Sequence, residues 1–191
     1  MPLFLLKILA AVRKVTSKLL WKIIRRFFLK PPNHPGVWEI VRNYSLLDFN
    51  RVMCGKQYKM DPLWGILDYT LYDLDYYFYY EYSYIPSYGG DCDDAAYAWF
   101  EYLKNSNLAT DIYQILCIDG WKVSTMHFFT VARFHDGYYR LFNYRLFPRP
   151  FLSLQETCDV FTKESLVKSG QYKNMRWVIY DSYSNSGDSN A

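Results

Sequence analysis

Three residues in this chain have the types and order of a thiol-based acyl-transfer site. Cys92 stands in "GGDCDDAAYAWF", His127 opens "HFFTVARF", and Asn143 lies in "YYRLFNYRLF". A nucleophilic cysteine needs help, because a free thiol is mostly protonated at neutral pH. The usual aids are a helix N-terminus aimed at the sulfur, an imidazole to take the proton, and a third group to hold the imidazole. Cys92 follows two glycines and an aspartate and precedes a helical pattern, so the first aid is present in the sequence. Asp91, Asp93 and Asp94 suit the first turn of a helix, where negative charge meets the positive end of the dipole. They also oppose a thiolate. Two readings of Cys92 are open on these grounds: a small residue in an acidic helix cap, or a nucleophile.

Of the three histidines, His34 lies between prolines and His135 in a turn, whereas His127 begins an apolar strand. An imidazole there needs a partner, because burying it unpaired is costly. Asn143 supplies one only in a particular register. If His135-Asp136-Gly137 form a three-residue loop with Gly137 left-handed, Phe134 pairs with Tyr138 and Asn143 falls opposite Phe129, diagonal to His127 on the same face. A two-residue Asp136-Gly137 turn would send Asn143 to the opposite face. Both loops fit the residues. A zinc site built on Cys92 and His127 lacks a third ligand.

The elements that must position these residues follow from periodicity. "VWEIVRNYSLLDFNRVM" reads as helical, and Asp61-Pro62 reads as a helix start. "IPSYGGDC" is a breaker cluster, followed by a helix from Asp93 that stops at Asn105-Ser106-Asn107. Strands are expected over 109–118, 127–134, 138–147 and 175–181, with a helix over about 153–168. Helices followed by an antiparallel sheet make the fold class α+β.

Residues 1–30 form a segment of their own. Ile8, Val12, Val15, Leu19, Ile23 and Phe27 recur at helical spacing, with Lys7, Lys14, Lys18, Lys22 and Arg25 on another side. The apolar runs are too short to span a bilayer, which takes roughly 20 residues. The bases are spread through the segment, unlike a secretory signal. Two arrangements are open: apolar side in an anionic membrane surface, or basic face packed on the chain's own acidic body. The expected location is cytoplasmic or at the membrane periphery. The divisions are a basic amphipathic helix over 1–30, a linker over 31–36, a domain over 37–182 that holds Cys92, His127 and Asn143, and a disordered polar tail over 183–191.

Charge and cysteine usage narrow the classes. The segment 1–30 holds eight bases and no acid, leaving 14 bases against 19 acids in the rest. A mildly acidic body gives no nucleic-acid footprint. Cys54, Cys92, Cys117 and Cys158 have irregular spacing without a C-x-x-C pair, which speaks against a disulfide framework. Nine tyrosines lie between Tyr69 and Tyr88, read as a groove wall or as core packing.

"IPSYGGDCDDAAYAWFEYL" followed by "MHFFTVARFHDGYYRLFN" resembles the transglutaminase-like superfamily, and among it the bacterial transglutaminase-like cysteine proteases. Pro86, Gly90, Asp91, Cys92, Asp93 and Asp94 match the family's first block. His127 and Asn143 fall where its base and orienting partner stand, over roughly residues 84–145. The resemblance implies a papain/transglutaminase-like core and hydrolysis of peptide or isopeptide amides in a protein or peptide substrate, with Cys92 as nucleophile. Acyl transfer to an amine is the same chemistry with another acceptor. The backbone N–H of Cys92 would serve the oxyanion, and Tyr84 or Tyr88 would line the cleft. No cofactor is required. Some relatives bind calcium beside the cysteine, which Asp91, Asp93 and Asp94 would match; a solvated acidic cap is the other reading. Asparagine stands where the family usually has aspartate. The alternative function is a non-catalytic membrane-bound or assembly module that keeps the fold.

Overall fold

Two periodicities divide the chain between helices and a sheet, and the boundaries fall where side chains can satisfy helix ends. The computed structural model describes residues 2–27, 36–56, 72–78, 91–119, 126–167 and 175–185. The Asp61-Pro62 helix start, Tyr84, Pro86, Tyr88, Gly89 and Gly90 lie outside these residues, as do most of the linker and the tail beyond Asn185.

The helices are α1 (Leu3–Phe27), α2 (Val37–Val41), α3 (Leu46–Gly55), α4 (Leu74–Phe78), α5 (Cys92–Ser106) and α6 (Leu154–Val160), the last continued by a π-helical stretch, Phe161–Val167. The single helix expected over 37–53 is two. Ser45 breaks it by capping α3, its side chain accepting from the Asp48 amide. The Asp75 carboxylate of α4 accepts from the amides of Gly36 and Trp38 at 2.9 and 2.8 Å, tying α2 to α4. Asn107, in the left-handed region at φ 53°, ends α5 within the predicted stop.

The strands β1 (Ala109–Asp119), β2 (His127–Phe134), β3 (Tyr139–Asn143), β4 (Arg145–Leu146) and β5 (Met175–Ser184) form one antiparallel sheet in the order β4-β3-β2-β1-β5. The third strand is shorter than expected. Tyr144, at φ 55°, turns the chain back so that Asn143 pairs with Arg145. β5 runs on to Ser184, past the point at which the polar tail was expected to begin.

Strand alternation separates two cores. On one face Leu116, Ile118, Phe128 and Val178 pack with Leu6 and Ala10 of α1 and Ala96 of α5. The same face carries Ile112, Ala132 and Phe142 against Trp99, Tyr102 and Leu103 of α5 and Phe49 of α3. Alanines at 95, 96 and 98 let α5 approach closely, and the Thr130 hydroxyl donates to the Ala96 carbonyl at 2.7 Å. On the other face Ile115, Cys117, Phe129, Val131 and Leu141 meet Phe151, Cys158 and Phe161. The architecture is therefore α+β, a helix-covered antiparallel sheet with an N-terminal helix.

Leu103 is fully buried in this core, while Leu47 is 64% exposed. Leu103→Ala should lower unfolding free energy by about 2–5 kcal/mol. Leu47→Ala should stay within about 0.5 kcal/mol, both read by urea denaturation.

Candidate active site

The register of β2 and β3 is set at their hairpin. Gly137 is left-handed at φ 83°, its N–H donates to the Phe134 carbonyl, and the Phe134 N–H donates to the Tyr138 carbonyl, each at 2.9 Å. This is the three-residue loop. Thr130 then pairs with Phe142 and Arg133 with Tyr139, so continuing the ladder places Asn143 opposite Phe129. The side chains meet as that register requires: His127 Nε2–H donates to Asn143 Oδ1 at 2.9 Å. An oxygen acceptor at Nε2 fixes the tautomer and leaves the Nδ1 lone pair for proton exchange.

The half-buried His127 ring also lies against Phe161, centroids 5.9 Å apart, and Phe161 packs on Phe129 at 4.6 Å. Burial pushes the imidazole from its ordinary 6.5 down to about 4, with the Asn143 hydrogen bond partly opposing it. His127 is thus neutral at pH 7, the state a base needs.

Cys92 is the first residue of α5. Asp91 caps that helix, its carboxylate accepting from the Asp93 amide, while Asp94 reaches back to accept from the Asp91 amide, both at 3.2 Å. The half-buried thiol packs with Leu9 and Met126 on the cluster around Phe128. Burial pushes its pKa well above the ordinary value, and the charges of Asp91 and Asp93 push the same way. A hydrogen bond from the Phe128 backbone N–H and the charge of Arg13 oppose them. Cys92 is therefore a neutral thiol at pH 7, and the aspartates act on it as the opposing charge that their sequence position suggests.

The structure brings His127 and Asn143 into direct contact and packs Cys92 on the cluster around Phe128, the residue next to His127. It does not show the thiol against the imidazole. Cys92 packs on the sheet face that carries Phe128, whereas His127 shares the face of Phe129 and Phe161. Tyr84 and Tyr88 lie outside the described residues.

Asp91, Asp93 and Asp94 each offer an oxygen within 4.8 Å of the others. All three already have structural work. Asp91 and Asp94 form the helix cap, and buried Asp93 pairs with buried Arg13, Nη2 to Oδ2 at 3.3 Å. The Arg13 guanidinium therefore compensates part of the cluster's charge from within the fold.

Arg13 and Phe161 are the neighbours that sequence reasoning missed. Arg13 comes from α1, its guanidinium 4.4 Å from the Phe128 ring centroid. Its signal was the basic face of α1 set against an acidic body. Phe161 offers none, because an apolar residue in a helix looks like any core position. Comparison with models of known families, with curated proteins and with solved structures gave no match.

Two outcomes follow. His127 has a depressed folded pKa, so its neutral burial stabilises the fold fully above about 6.5 and loses that contribution as pH falls toward about 4. Wild type should lose up to about 3 kcal/mol over this window that His127→Gln does not lose, measured by urea unfolding at each pH. Arg13→Met removes the guanidinium that pairs with buried Asp93 and should destabilise by about 3–5 kcal/mol. Pairing it with Asp93→Leu should recover most of that loss in a double-mutant cycle.

Proposed function

We propose that the chain is a thiol hydrolase of the transglutaminase-like kind, with a papain/transglutaminase-like core, acting on peptide or isopeptide amides. The observation that carries the reading is the 2.9 Å His127–Asn143 hydrogen bond, formed in the one hairpin register that permits it and leaving the Nδ1 lone pair as the proton acceptor. A lone structural histidine needs only some partner. A third-position amide on the adjacent strand, next to a cysteine at a helix N-terminus, is the arrangement that orients a catalytic imidazole.

The protonation states favour general-base chemistry over a resting thiolate–imidazolium pair. The Cys92 thiol attacks the amide carbonyl carbon as its proton passes to His127 Nδ1. The C–N bond then breaks, the amine leaves with that proton, and water hydrolyses the thioester with His127 again as base. The Cys92 backbone N–H at the start of α5 supports the oxyanion. Cys92 must turn from the Phe128 amide toward Nδ1 for the first step. His127 is the first residue of β2, so the movement takes place at a strand end and brings no distant element across the core.

One observation favours the second reading, a non-catalytic module that keeps the fold. The thiol packs on the apolar cluster around Phe128, where burial and the charges of Asp91 and Asp93 hold it neutral. Alkylation decides between them. Under iodoacetamide at neutral pH with mass-spectrometric readout, Cys92 should react at least about tenfold faster than buried Cys117 and Cys158, whose thiols burial also pushes up. His127→Ala should remove that excess and Asn143→Ala should reduce it. If Cys92 reacts no faster than the other three cysteines, exposed Cys54 included, and His127→Ala leaves its rate unchanged, the non-catalytic reading stands.

A further inference from the structure

We propose that the outward face of α1 is a docking surface for a lipid bilayer carrying anionic headgroups. The helix carries apolar residues on two sides, and only one of them, with Leu6, Ala10, Trp21 and Ile24, is buried on the body. Its inward face includes Arg13, paired with Asp93, and Lys14 and Arg25 at its edge reach Asp181 and Asp73 at 2.6 and 3.1 Å. Its outward face is the apolar stripe. Ile8, Val12, Val15, Leu19, Ile23 and Phe27 are each between 42% and 69% exposed. An unbroken apolar stripe on a monomer marks an interaction site.

Two features select the occupant. Every charged residue among positions 1–30 is basic, and exposed Lys7, Lys18 and Lys22 line one edge of the stripe. An apolar face edged by lysines matches acyl chains beneath anionic headgroups. The spacing also disfavours a second copy of the helix. A coiled-coil seam repeats every seven residues, so any seam using Ile8 and Val15 also contains Lys22. Two such helices would oppose like charges. The stripe instead advances by four, three, four and four residues from Ile8 to Ile23, which keeps it on one broad side of a straight helix roughly 37 Å long. Among the described residues no helix is long and apolar enough to cross a membrane, so α1 lies on the surface and does not pass through it. The ion pairs to the body present the stripe already ordered, and docking would hold the sheet and α5 at a set orientation above the bilayer.

The test is co-sedimentation of the full chain with vesicles of phosphatidylcholine alone and of phosphatidylcholine mixed with phosphatidylglycerol. Wild type should favour the mixed vesicles by about tenfold or more, and the preference should shrink as salt rises. Val15→Asp with Leu19→Asp should cut binding by about tenfold or more while circular dichroism melting stays near wild type. Should that variant fail to fold, Lys7→Gln with Lys22→Gln decides: it should keep the melting curve and lose the anionic preference. Absent partitioning by wild type, or equal partitioning by the aspartate variant when folded, overturns the proposal. So does an unchanged anionic preference in the glutamine variant. A wild-type dimer in sedimentation velocity that the aspartate variant abolishes, with no vesicle binding, assigns the stripe to a second copy. Partitioning is read without turnover, so the result is independent of the hydrolase reading.

Discussion

The loop at His135-Asp136-Gly137 is the constraint on which the candidate site depends. Side chains alternate along a strand, so a one-residue change in the loop would reverse the face of every residue on β3. Gly137, left-handed at φ 83°, closes a three-residue connection, and Arg140 of β3 reaches back to form an ion pair with Asp136. The consequence appears at the other end of the hairpin, where Asn143 meets the His127 ring. A glycine with no chemistry of its own thus decides whether the histidine has an oriented tautomer. The same alternation sends Phe128 toward α1 and α5 and the His127 ring toward Phe161.

The second organising feature is electrostatic. α1 buries Leu6, Ala10 and Trp21, and its cations also pair with Asp93, Asp181 and Asp73 of the acidic body. A buried ion pair gains little over a well-packed apolar pair, but losing one partner is expensive, so such a pair enforces a unique seat more than it adds stability. The Arg13–Asp93 pair ties α1 to the first turn of α5. The helix that leaves an apolar stripe outward therefore also contributes charge to the environment of Cys92.

Much of this arrangement was legible from residues alone, for local reasons. β2 occupies the predicted 127–134, because "HFFTVARF" is a β-branched and aromatic run ending in a turn signal. α5 starts at the predicted cap and stops at Asn107, because Asp91 and Asn107 satisfy helix ends through their own side chains or backbone angles. The split of 37–53 at Ser45 and the reversal at Tyr144 were missed. A serine within a helical pattern looks like an exposed helix residue until its cap is seen, and tyrosine rarely adopts a positive φ.

By itself the sequence determined the helix and strand types, the α+β class, the acidic cap around Cys92, and a stripe and a basic face on residues 1–30. These are properties of short windows, where periodicity, caps and charge are local. Tertiary structure alone decided which of the two hairpin registers formed, which side of α1 met the body, and whether Asp93 met a cation or water. It also decided that the Cys92 thiol packs on the apolar cluster around Phe128. Each is a choice between packings that the local residues permit almost equally, settled by contacts between segments far apart in the chain.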